Sequence, residues 1–156
     1  MDPPDRIPLQ LDLEINSSIL GCRDGLVLIL NPTRRRFLVW DPVSGEHRRV
    51  AVPPECDGNE MRVRQAAVVR AGAGEFHFQI VFLGVDGKDT RAFGCVYSSE
   101  TSKWGKIIST PLPLFCWECC HMKIPGVLIG DCLYWSLRGY QPPIAIIEFD
   151  LDKQRT

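Results

Sequence analysis

Between residues 76 and 82, large apolar side chains occupy every second position: Phe76, Phe78, Ile80 and Phe82, with His77, Gln79 and Val81 between them. A period of two marks a strand, because successive side chains on an extended backbone point to opposite faces. The same spacing on a helix would scatter these groups around the axis. One face of the segment is therefore apolar and has to be covered. Asp86-Gly87 follows, a pair favoured in two-residue hairpin turns because both central positions need φ > 0. A turn there opposes Val85 to Lys88, Ile80 to Phe93, Phe78 to Cys95 and Phe76 to Tyr97. That register turns the apolar residues of both strands to one side.

Short apolar segments divided by turn residues fill much of the remaining chain. Gly25–Leu30 is a continuous apolar run, broken by Asn31-Pro32-Thr33-Arg34-Arg35 and resumed by Phe37–Trp40. Asp41-Pro42-Val43-Ser44-Gly45 has the composition of a turn: proline presets φ, glycine tolerates positive φ and aspartate accepts local hydrogen bonds. His47–Val52 then forms a third strand, stopped by Pro53-Pro54. Strand, turn, strand, turn, strand predicts a meander. Later strands are expected at Trp104–Ile108, Gly126–Ile129, Cys132–Leu137 and Ile144–Phe149, with a second tight turn at Gly130-Asp131. Residues 53–61 read as a polar loop with room for one helical turn. Residues 109–125, with Pro111, Pro113 and Pro125, are the loosest stretch. Sustained helical periodicity is absent.

Composition narrows the class. Apolar residues make up 45% of the 156, too many for an intrinsically disordered chain. The length fits a single domain spanning residues 1–156, able to bury about 70% of its unfolded surface. A formal charge of -1 provides no global basic field for nucleic acid or an anionic membrane. Met1-Asp2-Pro3-Pro4-Asp5-Arg6 lacks the pattern of a secretory signal. No apolar run approaches the ~18 residues that span a bilayer. The seven cysteines are odd in number and irregularly spaced. They read as free thiols of a reducing compartment, cytoplasmic or nuclear.

One pattern recurs. A strand ends on an aromatic, a small polar residue follows, and a turn leads on: Val39-Trp40-Asp41-Pro42, Val96-Tyr97-Ser98-Ser99, and Glu148-Phe149-Asp150-Leu151. The aromatics lie 57 and then 52 residues apart. Periods near fifty with several strands each suit the blades of a kelch-type propeller. A blade cannot cover both of its faces alone, so it needs neighbours. The expected fold is all-β, a partial kelch-like β-propeller of about three incomplete antiparallel blades.

The stretches Gly21-Cys22-Arg23-Asp24-Gly25-Leu26-Val27-Leu28, Val39-Trp40-Asp41-Pro42-Val43-Ser44-Gly45 and Arg48-Arg49-Val50-Ala51-Val52-Pro53-Pro54 resemble the opening of the F-box-associated, kelch-like domain of plant F-box proteins. Val96-Tyr97-Ser98-Ser99-Glu100-Thr101 with Trp104 resembles its middle. Val127-Leu128-Ile129-Gly130-Asp131-Cys132-Leu133-Tyr134-Trp135, with Ile147-Glu148-Phe149-Asp150-Leu151-Asp152, resembles a further blade. The resemblance runs in order over most of residues 2–154. It implies a non-catalytic protein-interaction module, like the domain by which an F-box-type ubiquitin ligase receptor holds its protein substrate. No Leu-Pro-rich helical F-box is present ahead of Met1-Asp2-Pro3-Pro4, so binding of the cullin-RING adaptor is not expected. The bound protein and the loops that hold it are not named by the sequence.

Two alternatives accompany that reading. Cys116-Trp117-Glu118-Cys119-Cys120-His121 could centre a small zinc-binding or redox protein, since Cys-x-x-Cys supplies half a tetrahedral site. Its second half would have to include Cys132, which sits in an expected strand, and no helix N-terminus is at hand to activate a thiol. The expectation is therefore no metal and no cofactor. The other alternative is a truncated product without function, whose open strand edges would promote aggregation. Arg34-Arg35-Arg36, with Arg48-Arg49 one hairpin away, reads as a solvated tip rather than a nucleic-acid patch. Gly72-Ala73-Gly74 precedes a strand, so it is no dinucleotide loop. His47, His77 and His121 have no motif-spaced nucleophile, and no catalytic residue is assigned. Asp150 and Asp152 read as turn formers. Trp40, Trp104 and Trp135 are expected between blades, whereas Trp117, with Leu114 and Phe115, is expected to fold back over a blade edge, with an exposed contact patch as the alternative.

Overall fold

A computed structural model describes residues 17–31, 34–53, 61–71, 76–86, 91–111, 126–137 and 145–152. Among these residues there are twelve strands and no α-helix. The first sheet is a meander of β1 (Ser18–Arg23), β2 (Leu26–Asn31), β3 (Arg36–Trp40) and β4 (His47–Ala51), in that order. The central sheet runs β5 (Met61–Arg70), β6 (Phe78–Asp86), β7 (Arg91–Ser98) and β8 (Lys103–Trp104), with β9 (Ile108–Pro111) also paired to β7. The third sheet is β10 (Val127–Ile129), β11 (Cys132–Leu137) and β12 (Ala145–Asp150). Every pairing is antiparallel.

The β6–β7 register differs from the expected one by four residues. Ile80 opposes Tyr97, Phe82 opposes Cys95 and Gly84 opposes Phe93. Asp86 ends β6 and β7 begins at Arg91, so Asp86-Gly87 does not close a two-residue turn. An even offset leaves every side chain on its expected face, which is why alternation alone could not detect it. Doubling a connection costs only about 0.6 kcal/mol. Packing and the bonds at the strand ends therefore set the register. Phe78 N–H donates to Ser99 Oγ at 2.8 Å, and Ser99 N–H to Phe78 O at 3.0 Å. The tight Asp-Gly turn occurs instead at Asp24-Gly25, with φ of 54° and 80° between the paired Arg23 and Leu26.

Two strands escape the alternation pattern, and both carry irregularities. The β1–β2 register shifts between Ile19 and Gly21, and the β5–β6 register shifts between Val63 and Gln65. An extra residue in one strand switches the side-chain phase partway along it. The expected strand Trp104–Ile108 is split. Gly105 N–H bonds Val96 O at 2.7 Å, and the Cys95 thiol donates to Gly105 O at 3.1 Å. The chain then rejoins β7 as β9.

The central sheet is buried on both faces. Ala66, Val68, Phe78, Ile80, Phe82, Cys95 and Tyr97 pack against Leu26, Leu28, Phe37, Val39 and Val50 of the first sheet. Ala67, Val81, Leu83 and Ala92 pack against Leu133, Trp135, Phe149 and Leu151 of the third. The consecutive run Ala66-Ala67-Val68-Val69 thus feeds both interfaces, as in any doubly covered strand. Trp104 fills the first interface, with ring centroids 6.0, 5.5 and 5.4 Å from Phe37, Phe82 and Tyr97. Its indole N–H crosses to Ala51 O at 2.8 Å. Arg48 crosses the other way, to Ser99 O at 3.2 Å and Ser102 Oγ at 2.7 Å.

The recurring aromatic pattern has a structural counterpart. Trp40, Tyr97 and Phe149 all lie near the end of the third strand of their sheets. The polar residue after each accepts the backbone N–H two residues on: Val43 to Asp41 Oδ1 at 2.9 Å, Glu100 to Ser98 Oγ at 3.2 Å, and Asp152 to Asp150 Oδ1 at 2.9 Å. The first two turns match further. Gly45 N–H bonds Asp41 O and Ser102 N–H bonds Ser98 O, each at 2.8 Å. Gly45 and Ser102 share a positive φ, 83° and 58°, a conformation that glycine adopts without strain and serine does not. Trp40 itself departs from expectation. It is half-buried on the face of the first sheet turned away from the central one, not between the two.

Candidate interaction surface

The third sheet places the most exposed apolar side chains of its strands on one face. Gly130-Asp131 closes β10 onto β11, where Ile129 opposes Cys132. Alternation sends Leu128, Leu133, Trp135, Ile147 and Phe149 inward. Val127, Ile129, Cys132, Tyr134, Ile146 and Glu148 share the outward face. Val127, Ile129 and Ile146 are 54%, 64% and 67% exposed. Val127 and Ile129 on β10 and Ile146 on β12 make this face a candidate contact surface. Tyr134 lies between Val127 and Glu148. Partial burial, then the Glu148 charge and the neighbouring Cys132, raise its phenol above the ordinary tyrosine range.

Phe149 reaches the central sheet through a gap. A Cβ on Gly94 would stand 2.8 Å from Phe149 Cδ2, so only glycine lets the ring in at this point. On the far side of the stack, Arg23 donates to Gly126 O at 2.8 Å and ties β1 to the entry of β10. A cavity of about 20 Å³ lies here, lined by Leu20, Cys22, Arg23, Ala66, Val68 and Gly126. It has room for one water-sized group. Arg23 Nε and Trp135 Nε1 are buried and meet no acceptor among the described residues. Sequence reading missed this pair, because an arginine beside Asp-Gly looks like a solvated turn residue.

At the first turn, Arg70 bonds Asp24 O at 3.0 Å and lies 3.4 Å from Asp41 Oδ2. Burial pushes the Asp41 carboxyl up. The N–H groups of Ser44 and Val43 and the Arg70 guanidinium outweigh it, leaving Asp41 below its ordinary value.

Among the described residues, those singled out from sequence are not gathered into one site. Cys116, Trp117, Glu118, Cys119, Cys120 and His121 lie outside the described residues, as do Leu114, Phe115 and the segment Gly72-Ala73-Gly74. Among the described residues, no group of three His, Cys, Asp or Glu is placed to hold a metal ion. Cys22, Cys95 and Cys132 are thiols and not half-cystines. Arg48 faces the central sheet and Arg49 faces away, so the two do not form one patch. Arg34 and Arg35 are exposed, Arg36 opens β3, and His47 is exposed on β4. His77 is half-buried just ahead of β6. Among the described residues, no helix is long and apolar enough to cross a membrane. No family model, curated protein or solved structure matches the chain.

Proposed function

We propose that the chain is a non-catalytic protein-interaction module. It is of the kind by which F-box-type ubiquitin ligase receptors hold their substrates, built as part of a kelch-like propeller and working in the cytoplasm or nucleus. The observation that carries this reading is the outward face of the third sheet, where Val127, Ile129 and Ile146 stand open to solvent. The stacked sheets and their repeated third-strand turns support the propeller part of the reading, because blades are repeats that cover one another's faces. The partner is a protein whose apolar surface covers that face. The adaptor of a cullin-RING ligase is not part of the proposal.

The test is affinity capture from cell extract with the wild-type chain and with a Val127→Asp, Ile129→Asp, Ile146→Asp triple variant. Circular dichroism and thermal melting check that both are folded. The reading expects at least one saturable protein partner whose capture falls tenfold or more in the variant. A folded variant that captures the same proteins to the same extent overturns it.

A further inference from the structure

Glu148 stands among the apolar groups on the outward face of the third sheet. It lies two residues past Ile146 on β12 and opposes Tyr134 on β11, which in turn opposes Val127 on β10. Ile129 is two residues along β10 from Val127. Glu148 is exposed, as are Val127, Ile129 and Ile146. Tyr134 is half-buried at the centre of the group, and its hydroxyl interacts with the Glu148 carboxylate.

The central sheet fills the corresponding place differently. Val96 precedes Tyr97 as Glu148 precedes Phe149. Val96 opposes Val81 where Glu148 opposes Tyr134. Both valines pack against the third sheet. A face covered by another sheet of this chain thus carries two valines where the outward face carries a phenol and a carboxylate. A purely apolar cover suits the first pair and not the second. It would take the Glu148 carboxylate out of water without a counter-charge, which is strongly destabilising. Tyr134 supplies one neutral donor and no charge. Whatever covers Val127, Ile129 and Ile146 must therefore bring a cation to Glu148.

We propose that the outward face of the third sheet holds an arginine side chain of the partner, set in an apolar surface. The guanidinium bonds the Glu148 carboxylate and lies against the Tyr134 ring, while the apolar groups around it cover Val127, Ile129 and Ile146. Arginine suits this place better than lysine. Its planar fork meets a carboxylate at two points, it stacks on aromatic rings, and it sheds water more readily than an ammonium group. The carboxylate keeps acceptor sites for it beside the Tyr134 hydroxyl. Asp131 and Asp152, exposed at one end of the same sheet, favour a basic partner over an acidic one. The inference rests on the protein-interaction reading and names the chemistry that the partner brings to the same face.

The test uses three amphipathic peptides, identical except that their polar positions are all arginine, all lysine or all glutamate. Fluorescence anisotropy of fluorescein-labelled peptide measures binding. Ultraviolet titration with unlabelled arginine peptide follows the Tyr134 phenol, which a Tyr134→Phe variant identifies. The expected result is saturable binding of the arginine peptide, binding of the lysine peptide weaker by about threefold or more, and no binding of the glutamate peptide over the same range. The bound guanidinium offsets the Glu148 charge, so the Tyr134 phenol should move toward the ordinary tyrosine range. Glu148→Gln should weaken arginine binding about tenfold or more, and Glu148→Arg should transfer the preference to the glutamate peptide. The Val127→Asp, Ile129→Asp, Ile146→Asp triple variant adds three carboxylates and should nonetheless bind the arginine peptide less well. Melting curves check that each variant is folded. Equal binding of the arginine and lysine peptides, binding that Glu148→Gln leaves unchanged, or tighter binding by the triple variant overturns the proposal. Self-association of the wild-type chain that Glu148→Gln abolishes would make a second copy the occupant and overturns it too. If the arginine peptide fails while the triple variant still loses its captured partner, the arginine site falls and the interaction reading stands. If partner capture ignores that face, the reading itself falls.

Discussion

The two faces of the central sheet solve the same packing problem differently. Toward the first sheet it presents large rings. Phe78, Phe82 and Tyr97 meet Phe37 around Trp104, and hydrogen bonds from Trp104 and Arg48 run across the seam. Toward the third sheet it presents smaller residues. Ala67 and Ala92, with Val81 and Leu83, meet Leu133, Trp135 and Phe149, and Gly94 leaves room for the Phe149 ring. One seam is made by interlocking rings of both partners. The other is a recess filled by a projecting ring. Aromatic area brings stabilisation that tolerates small shifts, whereas a recess tolerates almost none.

The sharpest test of this contrast removes one large group from each seam. Phe82→Ala is expected to cost about 3–5 kcal/mol, and Leu83→Ala about 2–5 kcal/mol. Urea unfolding gives the magnitudes, and amide exchange shows which sheet loosens. If Leu83→Ala opens all three sheets together, the seams form one cooperative unit. Local loss in the third sheet alone makes that sheet separable. Gly94→Ala fills the recess without removing anything. Overpacking is expected to cost about 1–3 kcal/mol and to speed exchange in β10–β12 before β1–β4. An unchanged melting point would show that Phe149 can move aside, and the contrast would fail. Trp104→Phe keeps the ring cluster and deletes the bond to Ala51 O, with an expected loss of about 1 kcal/mol.

A smaller effect sits at the rim of the first seam. Asp41 is held below its ordinary carboxylate pKa, so its contribution is fully present above the unfolded value near 3.9 and is lost as pH falls through the lower folded value. Asp41→Ala should therefore be less stable than wild type at neutral pH, by about 1 kcal/mol or less for a pair at the rim of the sheet. The two proteins should converge in acid. A gap that is constant with pH would assign the effect to the turn and not to the charge. The smallest shift expected is spectroscopic. Glu148→Gln should move the Tyr134 phenol back toward the ordinary tyrosine range, read by ultraviolet titration, because the Glu148 charge helps to raise it.

Much of the fold was legible in the chain for a specific reason. Where one strand face is covered and the other less so, the period of two survives, as at His77 to Ile80 and Cys132 to Trp135. The repeated aromatic and cap were legible because each turn needs the same acceptor in the same place. Strand β5 was not legible, because its bulge switches phase and its buried half is apolar on both sides. The two Asp-Gly pairs show the same limit at turns. Asp24-Gly25 closes its hairpin and Asp86-Gly87 does not, since packing along the strands favours another register. The candidate surface was half legible. Its strands were expected, but which face stays open depends on a third sheet covering only one side of itself. That is a property of the assembly and of no local segment. Arg23 and Trp135, brought together at Gly126 from positions more than a hundred residues apart, carry no local signature at all.

The repeated turn also gives the stack a direction. Tyr97 looks from the central sheet back to the first, Phe149 from the third back to the central, and Trp40 looks the same way from the first sheet. The two ends of the molecule are therefore unlike, as a hook differs from an eye. Any addition that continues the stacking is vectorial. It would extend a line or bend into a ring, and it would not produce a twofold pair.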